Sequence, residues 1–151
     1  MTLRLHAQSY DDPIWLAPLA SISHTDWFHF TSNIIVIASV APVVALSTPV
    51  WTWSIGVLIG LLTPWWVHRV NALTNYRLAP VDRTVLGLSG VAYTLIGLLA
   101  SIHIIAAMSV AVFVILVEVL AIHMSVHRDI VIIAHLLSFL CGFILGSIIL
   151  L

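Results

Sequence analysis

A chain of 151 residues that is 62% hydrophobic and only 7% charged has few side chains with which to do chemistry. The informative ones fall into three groups. The first is His24, His29 and Asn33, spaced H-x4-H-x3-N. The second is Gly87-Leu88-Ser89-Gly90-Val91-Ala92-Tyr93, and the third is Ala134-His135-x2-Ser138-x3-Gly142-x3-Gly146. On helices, intervals of three and four put His29 with Asn33, Ser89 with Tyr93, and His135 with Ser138, Gly142 and Gly146 on shared faces. These are the parts that acyl transfer requires. Serine is a weak nucleophile until a neighbouring base, most often histidine, takes its proton. The tetrahedral intermediate then needs donors aimed at its oxyanion, and Asn and His side chains serve in that role. Small residues beside Ser89 and beneath His135 would let two helices approach closely enough for the pair to meet.

The elements that must position these groups follow from hydropathy. Mean hydropathy is +1.17, and a soluble domain carries about a quarter charged residues. A chain this small could not hide so much apolar surface from water. The bilayer is therefore its solvent, and a polar side chain placed there is costly unless satisfied or functional. A helical span takes about 20 apolar residues. Five are expected: about Phe28–Leu46, Val50–Val67, two within Val85–Met124 that turn near 102–108 around His103, and about Ile130–Leu151. In that division Ser89 lies four or five residues inside its helix. Trp51 and Trp53 at one end of the second span, and Trp65 and Trp66 at the other, read as interfacial belts. Residues 68–84 read as a polar loop and His127-Arg128-Asp129 as a turn. The expected architecture is an all-α, polytopic membrane bundle, with a polar or interfacial segment at 1–23 and one membrane core at 24–151. Residues 1–23 hold Arg4, Asp11 and Asp12 and no apolar h-region, so no signal peptide is expected there. Net charge is -1 without a basic run, which leaves no basis for a nucleic-acid partner. Cys141 is the only cysteine, so no intramolecular disulfide forms.

The three groups, in this order on three helices, resemble the motifs of rhomboid intramembrane serine proteases. Those proteins carry H-x4-H-x3-N, then G-x-S-G with a tyrosine one helical turn beyond the serine, then A-H-x2-G-x3-G. The match is His24, His29 and Asn33; Gly87, Ser89, Gly90 and Tyr93; and Ala134, His135 and Gly142, with Ser138 where the family usually has glycine. The resemblance implies that Ser89 is the nucleophile and His135 its general base. It implies an oxyanion hole of His29, Asn33 and the Ser89 backbone N–H. Tyr93 would stack on His135, and His24 would stand at the rim as a structural or water-binding residue. It further implies a multi-pass protein, expected in the cell membrane, that cleaves single-span membrane proteins without cofactor or metal. Rhomboids normally carry a further helix and a long, partly embedded loop before the first motif. Residues 1–23 are too short and polar for both, so a reduced form lacking that helix is expected.

Other readings account for fewer residues. Paired His29 and His135 could ligate haem, but that leaves Asn33 and Gly87–Tyr93 unexplained. A rhomboid-like pseudoprotease that binds transmembrane helices without cutting them is the stronger alternative. Such relatives usually lose the serine or the histidine, and both are present. His68, His103 and His127 read as hydrogen-bonded packing residues. Glu118, five residues before His123, reads as a protonated structural carboxyl. The arginines of 69–83 read as a headgroup-facing set.

Orientation sets two arguments against each other. All five positive charges, Arg4, Arg69, Arg77, Arg83 and Arg128, fall on one side of a five-span chain, which the positive-inside rule would place in the cytoplasm together with the mouth above Ser89. The resemblance implies a mouth that opens outward, where substrates present their cleavage sites, and that is the expectation. A cysteine at Asn75, with Cys141 replaced, should react with a membrane-impermeant maleimide in intact cells. Protection until the membrane is opened would mean that the arginines set the direction.

Overall fold

The computed structural model of the protein describes residues 13–23, 27–74, 88–110, 112, 116 and 130–149, with backbone only at 28, 29, 68, 70–74 and 130–133. Residues 75–84 of the expected 68–84 loop, Glu118, His123 and the His127-Arg128-Asp129 turn lie outside the described residues. Among those described, the fold is all helix and no strand.

A 3-10 turn, Ile14–Leu16, leads into α1, Ala17–Ile22, with Pro18 in its first turn where no backbone N–H is needed. Ser21 Oγ donates to the Leu61 carbonyl at 2.8 Å, tying this short helix to the bundle. The longest helix is α2, Trp27–Ser47. Its window Phe30–Ser47 has a mean hydropathy of 1.9 and is long enough to cross a bilayer. Asn33, Val36, Val40 and Val44 form its buried stripe. Thr48 and Pro49 then break the chain, Thr48 folding both its N–H and its hydroxyl back onto the Val44 carbonyl.

The second expected span ran unbroken over Val50–Val67 into a loop, and the structure corrects both points. Helix α3 is Val50–Leu61, Leu62 interrupts it, and α4 runs Thr63–Thr74. The cause is Pro64, whose nitrogen cannot donate and which is tolerated only in a first helical turn. Beyond it, Trp65 and Trp66 donate to the Leu62 carbonyl, starting a new ladder. Helix continues into the polar stretch because hydropathy reports where lipid ends, not where hydrogen bonding does. The Arg69 guanidinium lies 5.5 Å from the Trp65 ring centre, an i,i+4 pair of the kind that supports such an extension.

Helix α5, Ser89–Ile102, is the centre of the fold. Every residue from Ser89 to Ala100 is buried except Tyr93, which is partly so. The expected start at Val85 is corrected: Ser89 is the first residue of this helix, with Leu88 as its cap. The turn expected within 102–108 is a single non-helical residue, His103, after which α6 begins, described over 104–110, 112 and 116. Helix α7 is Ile130–Ile149.

Glycines set how these helices meet. Gly60 lies against Val91 and Gly56 against Leu98, so α3 runs antiparallel to α5. On the other side a Cβ at Gly142 would strike the Thr94 carbonyl oxygen, and one at Gly97 the Phe139 carbonyl oxygen. Gly146 faces Ser101. As α5 advances from Thr94 to Ser101 its partners advance from Gly142 to Gly146, so α5 and α7 run parallel. The outward faces keep large apolar residues exposed, among them Ile35, Leu46, Leu58, Ile144 and Ile148. Surfaces of that kind need lipid or protein against them.

The glycine contacts differ in what they meet. Gly142→Ala and Gly97→Ala push a methyl group into backbone, whereas Gly56→Ala meets only the tip of the Leu98 side chain, 2.6 Å from the new Cβ. The first two should lose roughly 1–3 kcal/mol, the usual scale of overpacking, and Gly56→Ala less. Thermal unfolding in detergent should rank them so; equal losses at all three would contradict this packing.

Candidate active site

The parallel register has a consequence for chemistry. With Gly142 level with Thr94 and Gly146 level with Ser101, the start of α5 falls level with Ala134 and His135 on α7. Helical side chains lean toward the N-terminus of their helix, so Tyr93, one turn above Ser89, leans back toward it. The Tyr93 ring stacks on the His135 ring, with centroids 4.1 Å apart and planes 14° apart. The imidazole is thus held against the face of α5 that also carries Ser89. Ser89 is 8% exposed and His135 is 5% exposed.

Because Ser89 opens its helix, its backbone N–H belongs to the first turn, whose N–H groups have no intrahelical carbonyl to bond. The positive end of the helix dipole points the same way, favouring negative charge nearby. Asn33 is buried on the α2 stripe that faces α5. His29 lies one turn earlier on α2, where the backbone alone is described. His24 and Gly87 lie outside the described residues. Gly90 has a clear reason to be glycine: its Cβ would stand 2.5 Å from Thr63 Oγ1 and 2.6 Å from the Gly60 carbonyl oxygen. The structure therefore brings Ser89, Gly90, Tyr93 and His135 to one end of the α5–α7 pair.

Three contributors escaped the sequence reading. Trp66 and Val67 of α4 pack with Ala134, the residue before His135. Thr63 bonds Ser138 across 3.1 Å between hydroxyls. The signal for Thr63 was present in outline, as a polar residue before a proline and one turn after Gly60, but threonine in an apolar helix usually bonds its own backbone. Among the described residues no group of three or more His, Cys, Asp or Glu gathers as a metal site would require.

The arrangement can therefore bring a serine at a helix N-terminus and an oriented imidazole together inside an apolar bundle, as acyl transfer by a serine-histidine pair requires. Comparison with known proteins agrees with the fold. A family model described as the Rhomboid domain matches residues 12–151. No curated protein and no solved structure matches the chain. With nearly its whole length covered by that model, the chain belongs to the rhomboid family and is an integral membrane protein built as a helical membrane bundle.

Proposed function

We propose that the protein is an intramembrane serine protease with a Ser89–His135 dyad. The observation that carries this reading is the Tyr93–His135 stack on a parallel α5–α7 pair. Ser89 Oγ attacks the scissile carbonyl carbon while His135 takes the hydroxyl proton. The oxyanion so formed is held by the Ser89 N–H with the side chains of Asn33 and His29. Collapse breaks the C–N bond, and His135 gives its proton to the leaving amine. Water, activated by the same imidazole, then hydrolyses the acyl-enzyme. Tyr93 orients the imidazole, Gly90 admits the neighbouring helix junction, and His24 and Gly87 act as supporting residues of the site.

The substrates in this reading are single-span membrane proteins. A peptide bond must be extended to be attacked, so sites near one end of a helix, beside small or helix-destabilising residues, are favoured. The protein itself is multi-pass, with five spans, and sits in the cell membrane. Ser89 at the very start of α5 shortens the path for water compared with a serine one turn inside.

A fluorophosphonate probe applied to detergent-solubilised protein tests the reading. Ser89 should be labelled, and Ser89→Ala and His135→Ala should abolish both labelling and cleavage of a membrane substrate while unfolding at the wild-type temperature. A folded wild-type protein that neither labels nor cleaves would instead make it a helix-binding pseudoprotease. Loss of one oxyanion donor costs about 100–1000-fold in turnover, so Asn33→Ala and His29→Ala should slow cleavage on that scale, and His24→Ala less. Full activity in Asn33→Ala would remove that side chain from the oxyanion hole. Tyr93→Phe should keep the stack, whereas Tyr93→Ala should slow labelling about 2–10-fold, the worth of one ring pair. Equal rates in the two variants would deny the ring an orienting role.

A further inference from the structure

We infer that Thr63 and Ser138 form a buried hydroxyl clasp that positions the two halves of the dyad relative to each other. The inference rests on the protease reading above and adds two residues to it. Thr63 is 2% exposed and Ser138 is fully buried. Their hydroxyl oxygens lie 3.1 Å apart, within reach of a hydrogen bond that either can donate.

The placement of Thr63 gives this bond its meaning. Thr63 stands at the junction of α3 and α4, where Pro64 has broken the ladder. On one side its hydroxyl and Cβ press on Gly90, at 2.5 and 2.7 Å from where a Cβ would be. Gly90 directly follows Ser89. On the other side it holds Ser138, three residues beyond His135 and on the same face of α7. One side chain thus abuts the residue next to the nucleophile and bonds the residue one turn from the base. Neither Thr63 nor Ser138 touches the reacting atoms, so both are positioning residues.

Proton transfer requires the serine and imidazole within about 2.6–3.2 Å of each other. The glycine contacts farther along α5 and α7 set their distance of approach, and toward Ser89 the Tyr93–His135 ring stack, which can slide in its plane, leaves that end able to splay. The clasp closes that end. Its removal also need not unfold the protein. Without Ser138, Thr63 can tighten its 3.4 Å contact to the Ile59 carbonyl. Without Thr63, Ser138 can turn its hydroxyl onto the carbonyl one turn back, as serine in helices commonly does. Either way a buried hydroxyl keeps a partner while the link between helices is lost.

The test is steady-state cleavage of a membrane substrate, with fluorophosphonate labelling rate and unfolding temperature, for Thr63→Val, Thr63→Ser, Ser138→Ala and the Thr63→Val/Ser138→Ala pair. Thr63→Val and Ser138→Ala should each lower kcat about 3–10-fold, the scale of one hydrogen bond, with KM and unfolding temperature near wild type. The pair should be no slower than either single change, because both remove the same bond. Thr63→Ser should restore the rate. Wild-type kcat in both single variants, or additive losses in the pair, would overturn the clasp. So would loss of unfolding temperature with kcat unchanged, which marks a purely structural bond. If Thr63→Val fails to fold, Ser138→Ala and Thr63→Ser decide alone. An inactive, folded wild-type protein would instead overturn the protease reading, and the clasp with it.

Discussion

The contact between α5 and α7 is the constraint on which the remaining structure depends. Where Gly142 meets the Thr94 carbonyl and Gly97 meets the Phe139 carbonyl, backbone rests on backbone with no side chain between. In lipid there is no hydrophobic drive to bring helices together, so close packing of small residues has to do it. The contact does more than hold two helices. It fixes a parallel register, and the register decides that Ser89 and His135 occupy the same level. The Tyr93–His135 stack and the Thr63–Ser138 bond refine a geometry that the glycines have already set.

The other helices serve that pair. The antiparallel approach of α3 through Gly56 and Gly60 closes a second side of α5 and delivers Thr63 to its first turn. The valine stripe of α2 closes a third and carries Asn33 inward with it. Enclosure on these sides makes each polar group consequential. A serine, a histidine and an asparagine that would be unremarkable in water become expensive in an apolar bundle unless they satisfy one another or a substrate.

Much of this was legible in the sequence because the solvent is lipid. Against a background that is 7% charged, His29, Asn33, Ser89, Tyr93 and His135 stood out by type, and their three- and four-residue spacing assigned them to helix faces. The membership in the rhomboid family that their order suggested is what the domain match over residues 12–151 bears out. The all-helical architecture was equally readable from apolar run length. Helix ends were not. The break at Leu62 follows from a proline ring, a cation–π pair lies along the extension of α4 to Thr74, and α5 starts after a backbone turn at Leu88 that no side chain caps, none of which changes hydropathy. Thr63 was missed for a related reason. Its partner lies 75 residues away, and nothing in local spacing distinguishes a threonine that bonds another helix from one that bonds its own.

The parallel register is open to a direct measurement by disulfide trapping. A Cβ on Gly146 would stand 2.9 Å from Ser101 Cβ, and a small give brings the pair to the roughly 3.5–4.5 Å that a disulfide spans. With Cys141 replaced, the Ser101→Cys/Gly146→Cys protein should oxidise readily in membranes. Trypsin cleavage after Arg83 and Arg128 should then leave the peptides 84–128 and 129–151 joined until a reductant is added. A Ser101→Cys/Ser138→Cys control, displaced by about two turns or 12 Å along α7, should give separate peptides. Joining in the control rather than in the first pair would contradict the register, and with it the proposed pairing of Ser89 with His135.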